Sequence, residues 1–112
     1  NHKMANTFKL KTKANVGVST VGIYTAPAAT TTVVIGITLS NTSGSGVNVG
    51  VGITRAGTTE DVKLLKNAPI PQGSSLEFMG GNKVVLETTD TLTVDSDTNN
   101  SVDAALTIME IT

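Results

Sequence analysis

Alternation of apolar residues with a period of two limits this chain more than any other feature. Val47, Val49, Val51 and Ile53 take every second position, as do Val33, Ile35, Ile37 and Leu39. Val102, Ala104, Leu106 and Ile108 repeat the pattern near the C-terminus, and Leu92 and Val94 give a shorter copy. Successive side chains on a strand point to opposite faces, so this period places one whole set on a core. A helical spacing of i, i+3, i+4, i+7 is not sustained anywhere. Threonine supplies about one residue in six and valine about one in nine. Both are stiff at χ1 and sit better on a pleated surface than in a helix. The chain is therefore expected to be all-β.

Turn-forming clusters divide the alternating runs. Ala26-Pro27-Ala28 ends a strand carrying Ile23 and Tyr24. Asn41-Thr42-Ser43-Gly44-Ser45-Gly46 reads as a hairpin loop between two strongly alternating strands. Arg55 to Thr59 turns toward a strand around Val62 and Leu64, and Pro69 and Pro71 mark Ile70 as part of an edge crossing. Gln72-Gly73-Ser74 and Gly80-Gly81-Asn82-Lys83 flank Leu76 to Met79. Val84-Val85-Leu86 is a short strand, Thr88-Thr89-Asp90 a turn, and Asp95 to Ser101 the last turn. The spacing predicts an antiparallel β-sandwich, jelly-roll-like, of about eight or nine short strands. A true immunoglobulin domain is disfavoured, because its Cys and Trp are missing.

The 112 residues suffice for one domain, expected over residues 4–112. Asn1-His2-Lys3 reads as the remnant of an expression tag ahead of an initiator Met4. Cysteine is absent, the single histidine is His2 and the single arginine is Arg55. Thiol nucleophiles, thiolate metal sites and histidine-activated serines are thereby excluded, and no G-x-S-x-G occurs. An enzyme is not expected, nor any cofactor. Lys+Arg 8 against Asp+Glu 9 gives a net charge of −1, which leaves no electrostatic drive toward nucleic acid. No apolar run approaches the roughly 20 residues of a membrane-spanning helix, and no secretory signal is evident.

Several local patterns are candidate sites. Asp95, Asp97 and Asn99 follow the D-x-D-x-N spacing that opens a calcium loop, with Asp103 as a fourth oxygen ligand. Position six is Asn100 and position twelve Leu106, so the rest of that motif fails, and a solvated hairpin turn is the favoured reading. Glu87 with Asp90, and Glu60 with Asp61, are the carboxylate pairs. A glycosidase would surround such a pair with aromatic platforms, and Phe8, Tyr24 and Phe78 are the only aromatics. The same scarcity speaks against a glycan-binding site, with Tyr24 the sole candidate platform on a strand end. Asn41-Thr42-Ser43 and Asn99-Asn100-Ser101 match the glycosylation sequon without a secretory context. Asn48, Gly50 and Gly52 lie opposite the valines of their strand. Strand glycines mark close approach of another backbone, so these three residues are a candidate subunit contact, with a bulge or twist point as the other reading.

The order of phrases also carries a resemblance. Met4 to Lys11 leads into Ile23-Tyr24-Thr25-Ala26-Pro27-Ala28-Ala29-Thr30-Thr31-Thr32-Val33-Val34-Ile35-Gly36. Leu39-Ser40-Asn41-Thr42, Lys66 to Ser74, and Val84-Val85-Leu86-Glu87-Thr88-Thr89-Asp90-Thr91-Leu92 follow. This order resembles small virion structural proteins of tailed bacteriophages, marine cyanophages in particular. The resemblance implies a virion protein without an active site, assembled in the host bacterial cytoplasm, and associating with itself and with other virion proteins. A trimer is one expected form, and head decoration and a tail or neck position are both expected placements. The alternative from another class is a receptor- or glycan-binding adhesin or fibre module.

Overall fold

A computed structural model describes residues 5–78 and 83–112. The tag reading of residues 1–3, Met4, Met79 and the turn residues Gly80, Gly81 and Asn82 lie outside the described residues. Nine strands are present among those described: β1 Asn6–Val16, β2 Val21–Thr25, β3 Thr31–Asn41, β4 Val47–Arg55, β5 Glu60–Ile70, β6 Ser75–Phe78, β7 Val84–Leu86, β8 Asp90–Ser96 and β9 Val102–Ile111.

The strands form two antiparallel sheets. One has the order β1-β9-β3-β6, with β7 also paired to β3, and the other has the order β2-β8-β4-β5. β6 pairs with Ile37–Ser40 and β7 with Thr32–Val34, so the two occupy successive stretches of the same edge. The eight strand positions wind in a jelly roll, in which sequential strands alternate between facing sheets. Only β4 and β5 are joined as a hairpin within one sheet, across residues 56–59. The segments 42–46 and 97–101, expected as hairpin loops, instead cross from sheet to sheet. Alternation shows which face of a strand is buried and is silent on which sheet the strand joins.

The core lies between the sheets. Val47, Val49, Val51 and Ile53 of β4 meet Val102, Ala104, Leu106 and Ile108 of β9, with Leu92 and Val94 of β8 beside them, all buried. One alternating set departs from expectation. In β3, Ile37 and Leu39 are buried as expected, but Val34 is fully buried while Val33 and Ile35 are only half-buried. The β3–β9 register slips between Val34 and Gly36. One extra residue in a strand flips the facing of everything on one side of it. Val33 and Ile35 therefore stand on the outer face.

The edges carry devices against open pairing. β5 has Lys63, Lys66 and Pro69, and its pairing with β4 is irregular on both sides of Val51. Asn67 takes a left-handed φ of 55° in that stretch, a conformation asparagine tolerates better than most residues. β1 had no counterpart among the expected strands, because its alternation is reversed. Lys9, Lys11 and Lys13 stand opposite the buried Ile108, Leu106 and Ala104 and so share the inner side, while Phe8 and Leu10 point outward. Lys9 and Lys13 are exposed and Lys11 half-buried, so these inner-side lysines still reach solvent at the sheet edge.

Candidate functional site

Tyr24, at the end of β2, is buried and does not offer its ring to a ligand. Its hydroxyl donates to Glu110 Oε2 at 2.6 Å. With that proton committed, Thr32 Oγ1 donates to the phenol oxygen at 2.7 Å. Lys9 Nζ closes the group at 2.9 Å from Glu110 Oε1. Burial first, then the hydrogen bond to Glu110, pushes the Tyr24 phenol up to about 12. The bond from Tyr24, followed by the bond from Lys9, holds the Glu110 carboxyl below its ordinary value against the opposing effect of burial. Strands β2, β3 and β9 are tied here to the reversed edge strand β1. Phe78 is half-buried against the core, leaving Phe8 as the exposed aromatic among the described residues.

The calcium candidates are not brought together as a set of four. Asp95 pairs with Gly50 and points to the outer face of the β2-β8-β4-β5 sheet, whereas Asp103 points to the outer face of the other sheet. Asp95 Oδ2 accepts from Thr20 Oγ1 at 3.1 Å and lies 3.9 Å from Lys63 Nζ. Asp97 Oδ1 accepts from the Asn48 amide at 3.1 Å, and Asn99 Oδ1 from the Val18 amide at 3.4 Å. Asp103 Oδ1 accepts from the Asn15 amide at 3.0 Å. Asp95 and Asn99 both hold the connection between β1 and β2, while Asp97 holds the start of β4 and Asp103 the end of β1. Among the described residues no three acidic or histidine side chains gather as a metal would require.

Of the three candidate subunit-contact residues, Asn48 is exposed while Gly50 and Gly52 are buried. A Cβ at Gly52 would stand 2.8 Å from the Val62 carbonyl oxygen and 3.2 Å from Thr93 Oγ1. One at Gly50 would meet Asp95 Oδ1 at 2.7 Å and the Leu65 carbonyl at 3.3 Å. The close backbone that these glycines admit is the chain's own irregular β5.

Of the carboxylate pairs, Glu87 and Asp90 share an internal partner. Arg55 donates from Nη2 to Glu87 at 2.7 Å and from Nε to the buried Asp90 at 3.2 Å, clamping the β4 end to the turn before β8. Its guanidinium is raised further above its ordinary value, chiefly by the hydrogen bond to Asp90. Glu60 and Asp61 are neighbours on a strand and face opposite ways. Asn41 donates to the carbonyls of Ser45 and Ile70 at 2.8 and 2.9 Å and accepts from Ser43, so its amide is fully engaged. No buried side-chain nitrogen or oxygen among the described residues lacks a partner.

What is left open is a surface. On the outer face of the β1-β9-β3-β6 sheet, Phe8 pairs with Met109, Met109 with Val33, and Val33 with Val85. This apolar ladder crosses four strands, with Phe8 69% and Val85 54% exposed at its two ends. Leu10, 65% exposed, and Ile35 extend it into the next row. The register places only two charged residues on this face among those described, Glu77 and Asp103, both in rows away from the ladder. The other outer face presents Asn48, Thr54, Asp61, Lys63, Thr91, Thr93 and Asp95. Sequence reasoning missed the ladder, because a strand-by-strand alternation assigns Val33 and Ile35 to the core.

No protein-family model matches the chain, and no curated protein matches it in sequence. Solved structures do. A chain from the acid-stable capsid of the Helicobacter pylori bacteriophage KHP30 aligns over 98% of this chain and 94% of its own length, with a TM-score of 0.58 and 11% identity. A chain from the capsid asymmetric unit of cyanophage Pam1 aligns over 99% and 89%, with a TM-score of 0.54 and 13% identity. A chain of Bacillus endospore appendages, described as disulfide-linked pili, aligns over 96% and 86%, with a TM-score of 0.56 and 13% identity. At such identities the likeness is one of fold: this chain is an all-β protein of two antiparallel sheets, matching the jelly rolls of viral capsids.

Proposed function

We propose that this chain is a non-enzymatic structural component of a tailed-bacteriophage virion, an oligomeric jelly roll that docks on the head as a decoration protein or on the tail or neck. The observation that carries the reading is the near end-to-end match to chains from phage capsids, in a molecule where Glu87, Asp90, Asp95, Asp97, Asn99 and Asp103 all bond to the chain's own groups. An apolar outer face suits a part whose work is contact with other protein. The pilus likeness supports assembly in general, but the disulfide linkage of those appendages has no counterpart in a chain without cysteine.

Mass spectrometry of purified particles, followed by gold labelling with an antibody to this chain, tests the proposal. The protein should be present at a fixed ratio to the shell protein. Label on the head corresponds to decoration, label on the neck or tail to an accessory role, and label confined to a fibre tip to the alternative receptor-binding module. Absence from intact particles overturns the proposal.

A further inference from the structure

We infer that the outer face of the β1-β9-β3-β6 sheet is covered by the same face of a second copy of this chain. The inference deepens the virion reading by naming one partner, and it rests on that reading for its biological setting. Three observations favour a second copy as the occupant. First, the paired residues described in the rows of Phe8 and Leu10 carry no charge, so two copies meet there without like-charge repulsion. Second, four strand positions at ~4.8 Å and about eight residues at ~3.3 Å give roughly 500 Å² per copy, hence about 1,000 Å² in a pair, the lower bound for a specific interface.

Third, the ladder is complementary to its own reverse. Face-to-face packing of identical sheets requires a two-fold axis lying in the interface. With that axis parallel to the strands, β1 of one copy lies over β7 of the other, and β9 lies over β3. The large Phe8 then meets the smaller Val85, and Met109 meets Val33. Glu77 falls opposite Thr12 and Asp103 opposite Ser40, so the carboxylates do not confront each other. By contrast, antiparallel edge pairing of β1 with β1 of a second copy would gather Lys9, Lys11 and Lys13 from both chains on one side, which like-charge repulsion opposes.

Sedimentation equilibrium and chemical trapping test the inference. The wild-type protein should be a dimer at micromolar concentration. Val85→Lys and Phe8→Lys, both at exposed side chains, should each weaken dimerisation by about tenfold or more. Val18→Lys, at an exposed site off this face, should leave dimerisation unchanged, and circular dichroism verifies that each variant is folded. Because the chain has no cysteine, a Phe8→Cys/Val85→Cys double variant gives a second readout. The two positions lie three strand spacings apart, ~14 Å, too far for an internal bridge. With oxidised glutathione as oxidant, two thiols from different copies lose two electrons and two protons and join as one disulfide, trapping the dimer on a non-reducing gel.

A monomeric wild-type protein, an oligomer indifferent to both lysine substitutions, or failure to trap overturns the arrangement. An oligomer indifferent to both substitutions does so while leaving the virion reading standing. Absence from particles overturns the virion reading while leaving a Val85→Lys-sensitive dimer intact.

Discussion

Tyr24 is the only tyrosine in the chain, so its ionisation can be followed alone by ultraviolet absorbance. The folded protein should titrate near 12, and a value near 10 would show that the phenol is neither buried nor bonded to Glu110. A folded value above the ordinary 10 contributes stability that is complete below pH 10 and is lost as pH rises through 12. Glu110 works in the opposite direction. Its folded value lies below 4.5, so its contribution is present above pH 4.5 and disappears as pH falls through the depressed value. Tyr24→Phe removes the strongest cause of that depression and leaves a buried carboxylate one donor short. Urea titration at neutral pH should show a loss of about 1–3 kcal/mol, with a shallower decline in acid than wild type. Neither group's role is visible in sequence, because Tyr24 and Glu110 are 86 residues apart. Tyr24 as a candidate sugar platform and Asp95 as a candidate ligand were legible as residue types. What their side chains touch was not.

Elements show the same division. The alternation in β4, β8 and β9 identified their buried faces directly from Val47, Val49, Leu92, Val94, Leu106 and Ile108. It failed in β3, where the slip between Val34 and Gly36 is marked only by that one glycine, and in β1, where the lysines take the inner side. The strand glycines give a test at this scale. Gly52→Ala would drive a Cβ against the Val62 backbone oxygen, which is not the tip of a flexible side chain and cannot swing away. A loss of about 1–3 kcal/mol is expected from such overpacking. Gly44→Ala, with nothing within 4 Å, should stay within about 0.5 kcal/mol of wild type. Equal effects in thermal melts would remove the packing account of Gly52.

The connections between elements make a further prediction. Asp95, Asp97, Asn99 and Asp103 are each occupied by hydrogen-bond donors of the chain, and Asp95 and Asp103 point to the outer faces of opposite sheets. Chelation or added calcium should therefore leave the melting temperature unchanged. A native-state site at a hundredfold excess of ligand over Kd would add about 2.7 kcal/mol, so a rise of several degrees with calcium would establish the site that the D-x-D-x-N spacing suggested.

At the scale of the whole molecule, the jelly roll pairs the first strand with the last and places most sequential strands in opposite sheets. Long loops must close before such contacts form, and folding of this kind is expected in milliseconds to seconds. Stopped-flow refolding followed by tyrosine fluorescence, in a chain without tryptophan, should show that range. Completion within microseconds would contradict the dependence on β1–β9 pairing.

By itself, the sequence determined the all-β class, most of the core and the poverty of catalytic side chains. Period, β-branching and composition are local properties, written in neighbouring residues. The tertiary structure alone decided which sheet each strand joins, where one extra residue turns Val33 and Ile35 outward, and which distant groups share the Tyr24 and Arg55 networks. Those outcomes depend on pairings between residues far apart in the chain. A strand's own alternation is satisfied equally well by any partner that covers its apolar face.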